Sequence, residues 1–211
     1  MMSQDNAVEF YHRAKKQVFE AGFATEYIWQ MTRNFEELTE RDFLQEYAWV
    51  VLSTGFRERI VRDIFPFVSM AFFDFASAKR IVAHGEDCVR VASTRFANAK
   101  KLWAIVSTSS VVASVGFKKF KGQVHKNQML LLQFPFIGAV TIMHLLKNIG
   151  VDVAKNDRHL ARISSTFGFA DATHLCTYLS RCTGDPISAI DIVLWRFSAI
   201  GERHRGQASQ G

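Results

Sequence analysis

Cysteine is scarce in this 211-residue sequence: Cys88, Cys176 and Cys182, with no CxxC pair. Such a set excludes a disulfide framework and offers no zinc or iron–sulfur spacing. It suits a reducing compartment. Proline is as rare, with three residues, and glycine totals twelve. So few chain breakers favour long helices over many short strands. The opening stretch "MMSQDNAVEFYHRAKKQ" lacks the apolar region of a signal peptide, so a cytoplasmic location is expected. Long apolar runs are missing too, with one exception. "MLLLQFPFIGAVTIMHLL", residues 129–146, has the length of a membrane span, but Pro135 and Gly138 break it and Gln133 and His144 sit inside it. It reads as two buried helices joined by a turn, and no membrane partner is expected.

What is present is apolar and basic. Hydrophobic residues make up 48% of the chain, 19 of them Phe, enough to build a core. The net charge of +6 and pI near 9.4 permit an anionic partner without identifying it. Helical periodicity recurs along the chain: over 3–22, over "TERDFLQEYAWVVLSTGF" with Thr39 as N-cap, over "RFANAKKLWAIVSTSSVVASV", and over "DATHLCTYLSRCTG" capped by Asp171 and stopped at Gly184. A helix interrupted at Pro66, helices over 123–133, 138–148 and 157–167, a basic loop "GFKKFKG" at 116–122 and a frayed tail at 201–211 complete the reading. The expected class is all-α: a single domain, 1–211, with two lobes (1–40 plus 170–211, and 41–169), a cleft between them and a hairpin at 123–150.

The stretch "FPFIGAVTIMHLLKNIGVDVAKNDRHLARI", residues 134–163, concentrates the chemistry. Pro135 ends one helix and Gly138 permits a tight turn. The amides opening the next helix can then hold a phosphate, helped by the helix dipole. An ordinary αα-hairpin would carry the same signature. Asp157 opens "DRHLARI", where it suits an N-cap; with Lys155, Arg158 and His159 beside it, it equally suits a carboxylate that stabilises positive charge on a sugar or orients a water.

Taken together, "FPFIGAVT" followed by "KNDRHLARI" resembles the helix-hairpin-helix DNA glycosylase superfamily, most clearly over residues 123–165. "EYAWVVLSTGFRERIV" and "FANAKKLWAI" resemble the family's inserting-loop helix and its Asn-x-Lys-Ala segment more weakly. The resemblance implies double-stranded DNA as partner, a cytoplasmic or nucleoid-associated location, a monomer, and a nucleotide flipped out of the duplex. It implies Asp157 as the catalytic carboxylate that assists hydrolysis of the N-glycosidic bond. Backbone at Phe136, Ile137, Gly138, Val140 and Thr141 would meet a phosphate, with His159 and Lys155 on neighbouring DNA. Phe56 or Arg57 would fill the vacated stack near Gly55. No cofactor is required, although a Na+ or K+ ion held by the backbone of Phe134 and Ile137 accompanies such hairpins.

The sequence departs from the family pattern at three points. Val140 stands where some members carry an amine nucleophile, so a monofunctional enzyme leaving an abasic site is expected; Lys147 and Lys155 are alternatives by position. Phe136 stands at the first hairpin glycine. No four-cysteine cluster motif is present. Trp49, Tyr47 and Trp29, with Trp103 and Trp195, are candidates to stack on a flipped base, or are core. Glu46 and Asp191 are expected to cap or pair on helix surfaces rather than to read a base. Lys118, Lys119 and Lys121 could rest on phosphates or be a solvated loop. The base removed stays open between a damaged or alkylated base and a hypermodified base of phage DNA, the latter implying antiviral defence. The alternative to an enzyme is a non-catalytic helix-hairpin-helix DNA-binding protein.

Overall fold

The computed structural model describes residues 5–208, and its regular elements are all helical, with no strand among the described residues. In order they are α1 (Asp5–Glu20), α2 (Ala24–Thr32), α3 (Glu40–Ser53), α4 (Glu58–Ala71), α5 (Ala78–Ala83), α6 (Gly85–Ser93), α7 (Ala99–Val115), α8 (Phe117–Lys126), α9 (Ala139–Asn148), α10 (Arg158–Thr166), α11 (Ala172–Thr183) and α12 (Ile187–Ala208). Short 3-10 turns cover Phe35–Glu37, Phe73–Phe75 and Gln128–Gln133. No helix of the described residues is long and apolar enough to cross a membrane.

Local chemistry sets many of the boundaries. Thr39 and Asp42 form a reciprocal capping box at the start of α3. Asn98, Asp157 and Asp171 cap α7, α10 and α11 with side-chain oxygens. Gly184 closes α11 in the left-handed conformation, φ 78°, which glycine adopts without strain. Three expectations are corrected. Pro66 does not interrupt α4, because it lies on an exposed face where water can satisfy the carbonyl that its missing N–H leaves. "GFKKFKG" is not a loop: from Phe117 it belongs to α8, whose Phe120 and Val124 are buried one turn apart. The helix expected over 123–133 is instead the end of α8 followed by the 3-10 turn. At the other end of the chain α12 continues through residues 201–208, and the rest of the expected frayed tail lies outside the described residues.

The chain divides into two compact units, residues 1–34 with 146–211, and residues 35–145. The expected division at 169/170 is displaced because α10 packs on α11 and α12. Its Leu160, Ile163 and the following Phe167 join the same core as Tyr11, Cys176, Ile190 and Leu194. In this first unit the core is aliphatic with aromatic flanks. The second unit is built around α3 and α7, with Leu44, Leu52, Leu102 and Ile105 fully buried. An aromatic knot of Phe43, Phe120, Phe134 and Tyr47 adjoins them, ring centroids 4.8–5.9 Å apart along its Phe43–Phe120, Phe120–Phe134 and Tyr47–Phe134 pairs. Phe73, Asp74 and Phe75 wind a single turn with φ of 56°, 50° and 57°, a left-handed conformation normally disfavoured for residues with a Cβ. The buried Phe75 side chain anchors it, stacked on Phe72.

Candidate active site

The first unit carries the titratable cluster. Between α9 and α10 the chain runs from Gly150 to Asp157 without regular structure, yet it is pinned at almost every step. Val151 N–H donates to the Leu146 carbonyl at 2.9 Å, and Asp152 Oδ1 accepts from Ser188 N–H at 2.8 Å. Lys155 N–H donates to Asp191 Oδ2 at 2.7 Å, and Asn156 Oδ1 accepts from Ala172 N–H at 3.4 Å. Gln30 and Arg33 satisfy the carbonyls of Lys147 and Asn148 at the end of α9. A loop so held presents its last residue in a defined place.

That residue is Asp157. Its Oδ1 accepts both cap bonds, from His159 N–H at 2.9 Å and Leu160 N–H at 3.1 Å. Its Oδ2 accepts no hydrogen bond among the described residues; Lys155 Nζ stands 4.0 Å from it, beyond hydrogen-bond reach. The side chain retains 14% of its exposure, so the second oxygen is sheltered but reachable.

Asp191 organises the ground beneath. It is 1% exposed on α12, and its Oδ1 pairs with the equally buried Lys147 ammonium while Oδ2 holds the Lys155 backbone. The expectation that Asp191 pairs on a helix surface is therefore corrected: it pairs in the interior, where an ion pair persists only when its lone pairs are well satisfied. Glu46 is buried as well. Burial holds the Lys155 ammonium below the ordinary lysine range, opposed by the Asp157 carboxylate, reinforced by the Lys147 charge and opposed again by Asp191.

His159 is 9% exposed. Its Nδ1 lies 3.0 Å from Ser198 Oγ, which also accepts from Arg162 at 2.9 Å, and its Nε2 accepts from Arg158 Nε at 3.3 Å. Its ring is thus engaged within the protein, and the exposed cationic side chains of this helix start are Arg158 and Arg162. Trp29, in the same unit, is 38% exposed with the Arg33 guanidinium 4.6 Å over its ring. Trp195 carries Arg196 at 4.7 Å, and Arg196 also grips Glu26 with two hydrogen bonds.

The second unit carries the turn. Residues 134–138 are fastened by Tyr47, whose hydroxyl donates to the Pro135 carbonyl at 2.9 Å from a fully buried position. Tyr47 spends its ring on Phe43 and Phe134, so its observed role is to hold the turn. Thr141 closes the other side: its Oγ1 accepts from Gly138 N–H at 2.6 Å and lies 3.0 Å from the Phe136 carbonyl. Ile137 N–H returns to the Phe134 carbonyl at 3.2 Å. The amides of Ile137 and Gly138 are thereby used. Those of Ala139, Val140 and Thr141, the first three of α9, have no backbone acceptor among the described residues, as the opening of any helix leaves them. Val140 is 49% exposed.

A lysine that sequence reading did not single out joins this face. Lys101 is 4% exposed and donates to the carbonyls of Leu52 and Thr54 at the end of α3. Its ammonium lies 4.7 Å from the Phe56 ring centroid and 5.8 Å from that of Phe136. Those rings are 40% and 39% exposed. Phe136 has φ 63°, a left-handed residue that is not glycine. Arg57 precedes α4 and is exposed, and Trp49 packs edge-on against Phe65 at 5.2 Å. Trp103 is 45% exposed on α7. Of the lysines of the 116–122 run, Lys121 is turned inward to the Glu36 and Leu38 carbonyls, while Lys118 and Lys119 face solvent. No cluster of three or more His, Cys, Asp or Glu capable of holding a metal occurs among the described residues.

Comparison with known proteins finds no family model, no curated protein and no solved structure that matches this chain.

Proposed function

We propose that the protein is a DNA N-glycosylase that hydrolyses the bond between a sugar and a damaged or modified base, with Asp157 as the catalytic carboxylate. The observation that carries this reading is the geometry of Asp157: one oxygen caps α10, and the other is sheltered, reachable and without a hydrogen bond among the described residues. As the base departs, positive charge develops on C1′ and the ring oxygen. A carboxylate held in place by two amides stabilises that charge without having to reorganise, and can then accept a proton from the attacking water.

The rest of the reading follows the resemblance of "FPFIGAVT" and "KNDRHLARI" to the helix-hairpin-helix glycosylases. The unpaired amides at the start of α9 suit a backbone phosphate, and the carbonyls of Phe134 and Ile137 would hold a monovalent cation there. Arg158 and Arg162 are better placed than the engaged ring of His159 to meet further phosphates. Phe56 and Phe136 suit stacking on bases. Val140 offers no amine, so hydrolysis at this turn leaves an abasic site.

A second reading has its own support. The cap formed by Asp157 Oδ1 is complete, so Asp157 would be present in a helical DNA-binding protein that does no chemistry. Base release separates the two. Purified protein is incubated with alkylated, deaminated, oxidised and hypermodified phage DNA, and liberated bases are identified by mass spectrometry. The enzyme reading expects one base class to be released, and Asp157→Asn to slow that release by about a hundredfold or more while DNA binding persists. Salt-dependent DNA binding with no base released from any DNA would favour the binder.

A further inference from the structure

Helix α4 keeps part of its apolar surface open. Val61 and Val68 are buried, seven residues apart. Beside them Ile60, Ile64 and Phe67 form a second apolar stripe, at spacings of four and three. This stripe stays in contact with water: Ile60 is exposed, and Ile64 and Phe67 are half-buried. From Ile60 to Phe67 it runs two turns, about 10 Å. The end of α6 lies alongside and is fixed at two points. The Arg95 guanidinium is 5.6 Å from the Phe67 ring centroid, and Phe96 packs on Phe56 at 5.2 Å. One exposed apolar side chain is ordinary, but a stripe with a charged border marks a contact surface.

The border says what the stripe would take. Arg57 and Arg59 stand at its start and Arg95 beside its end, and none of the three forms an ion pair among the described residues. Of the two acids of α4, Glu58 is engaged by Arg62, and Asp63 stands one turn from Ile60 on the exposed side. Residues 56–101 as a whole carry nine Lys and Arg against five Asp and Glu, so +4 of the chain's +6 lies here. An acidic occupant is favoured. A second copy of the chain, packed two-fold on the same face, would set these arginines against one another. Nucleic acid would satisfy the arginines but gain little from Ile60 and Ile64, which have no π-face for a base. Carboxylates and apolar side chains on one strip of polypeptide satisfy both. We propose that this face of the second unit binds a short amphipathic segment of another protein, apolar at helical spacing and flanked by acidic residues. Its apolar side chains pack on Ile60, Ile64 and Phe67, and its carboxylates meet Arg59 and Arg95, the latter steadied by the Phe67 ring. Neither Ile60 nor Arg95 has a part in the glycosylase reading, so the two stand or fall separately.

The test selects the occupant from random sequence. Full-length protein is immobilised and used to enrich a phage-displayed library of random peptides. The expected peptides share acidic residues and two or three apolar residues spaced by three or four. A synthetic copy of one, labelled with fluorescein, should bind saturably in fluorescence anisotropy. Its Kd should rise at least about tenfold in Ile60→Ser and in Arg95→Glu, with circular dichroism checking that each variant is folded. Replacing the acids of the peptide by amides should weaken binding to the wild-type protein by a similar factor. No peptide enriched above an empty support overturns the proposal. So do enriched peptides that lack acids, or that bind both folded variants as tightly as the wild type. An oligothymidylate is titrated alongside: if it binds, is lost in both variants and no peptide is enriched, the face belongs to nucleic acid instead. A protein that sediments as a dimer and becomes a monomer in Ile60→Ser would assign the face to a second copy, which also overturns the proposal.

Discussion

The two units solve the problem of holding functional groups by opposite means. In the first, the groups are charged and the support is polar: Asp157 is positioned by amides, Lys155 by Asp191, and Asp191 by Lys147. In the second, the exposed groups are aromatic. Phe56 and Phe136 flank a buried ammonium, while a hydroxyl from the core, that of Tyr47, ties down the turn. Polar support gives direction, because hydrogen bonds are angular. Aromatic packing gives area and tolerates small displacements. The contrast matches the proposed labour: bond breaking needs an oxygen in a fixed place, whereas stacking on DNA needs a broad face.

If the polar support is as described, its weakest point is Asp191. Replacing Asp191 by Asn leaves the Lys147 ammonium buried without a counter-charge. The expected loss is about 3–5 kcal/mol in urea unfolding, and adding Lys147→Met should recover most of it. A loss under about 1 kcal/mol would mean that water reaches Lys147 and that the interior pair organises nothing.

A second polar knot in the same unit sharpens the point through pH. Asp185 accepts from Tyr11, Lys15 and Tyr27 at 2.5–2.7 Å. Burial pushes its carboxyl up, but the hydrogen bonds from Lys15, Tyr11 and Tyr27 outweigh it and hold the group below the usual carboxylate range. A folded-state value below the unfolded one means stability that is present above about pH 4 and is lost as pH falls through the lowered value. Asp185→Asn should therefore be less stable at neutral pH, by about 1–3 kcal/mol, and should lose less of its remaining stability on acidification. Identical acid limbs in the two proteins would contradict this.

The aromatic unit should respond in the reverse sense. Phe136→Gly replaces a strained left-handed residue by one that adopts φ 63° readily, so the variant should be about 1 kcal/mol more stable. The same change should weaken binding to duplex DNA, read by fluorescence anisotropy at fixed salt. A variant that is stabilised yet binds as before would show that the exposed ring serves the fold alone.

The starts of the helices were legible in the sequence because capping is local. Thr39 and Asp171 lie within three residues of the amides they satisfy. Asp157 was legible for the same reason, although its cap role and its proposed chemical role looked identical in one dimension. Pro66 and "GFKKFKG" misled because both are local signals that tertiary burial overrode: one face of each helix packs, and the other lies in water. Lys101 gave no signal at all, since a lysine in a polar-looking run carries no mark of its burial. Tyr47 looked like a base-stacking residue until its hydroxyl found Pro135.

By itself the sequence determined an all-helical chain, its caps, its aromatic wealth and the order of the turn and the acid. These depend on interactions between residues a few positions apart, which are fixed wherever the chain goes. Only the tertiary structure decided that Lys147 and Asp191, 44 residues apart, share a buried pair, and that Asp191 also reaches back to Lys155. It likewise decided that Tyr47 reaches Pro135 across 88 residues. Contacts of that range exist only once the core has excluded water and set the helices in place, and they determine which of many similar side chains is buried, which is held, and which stays open to solvent.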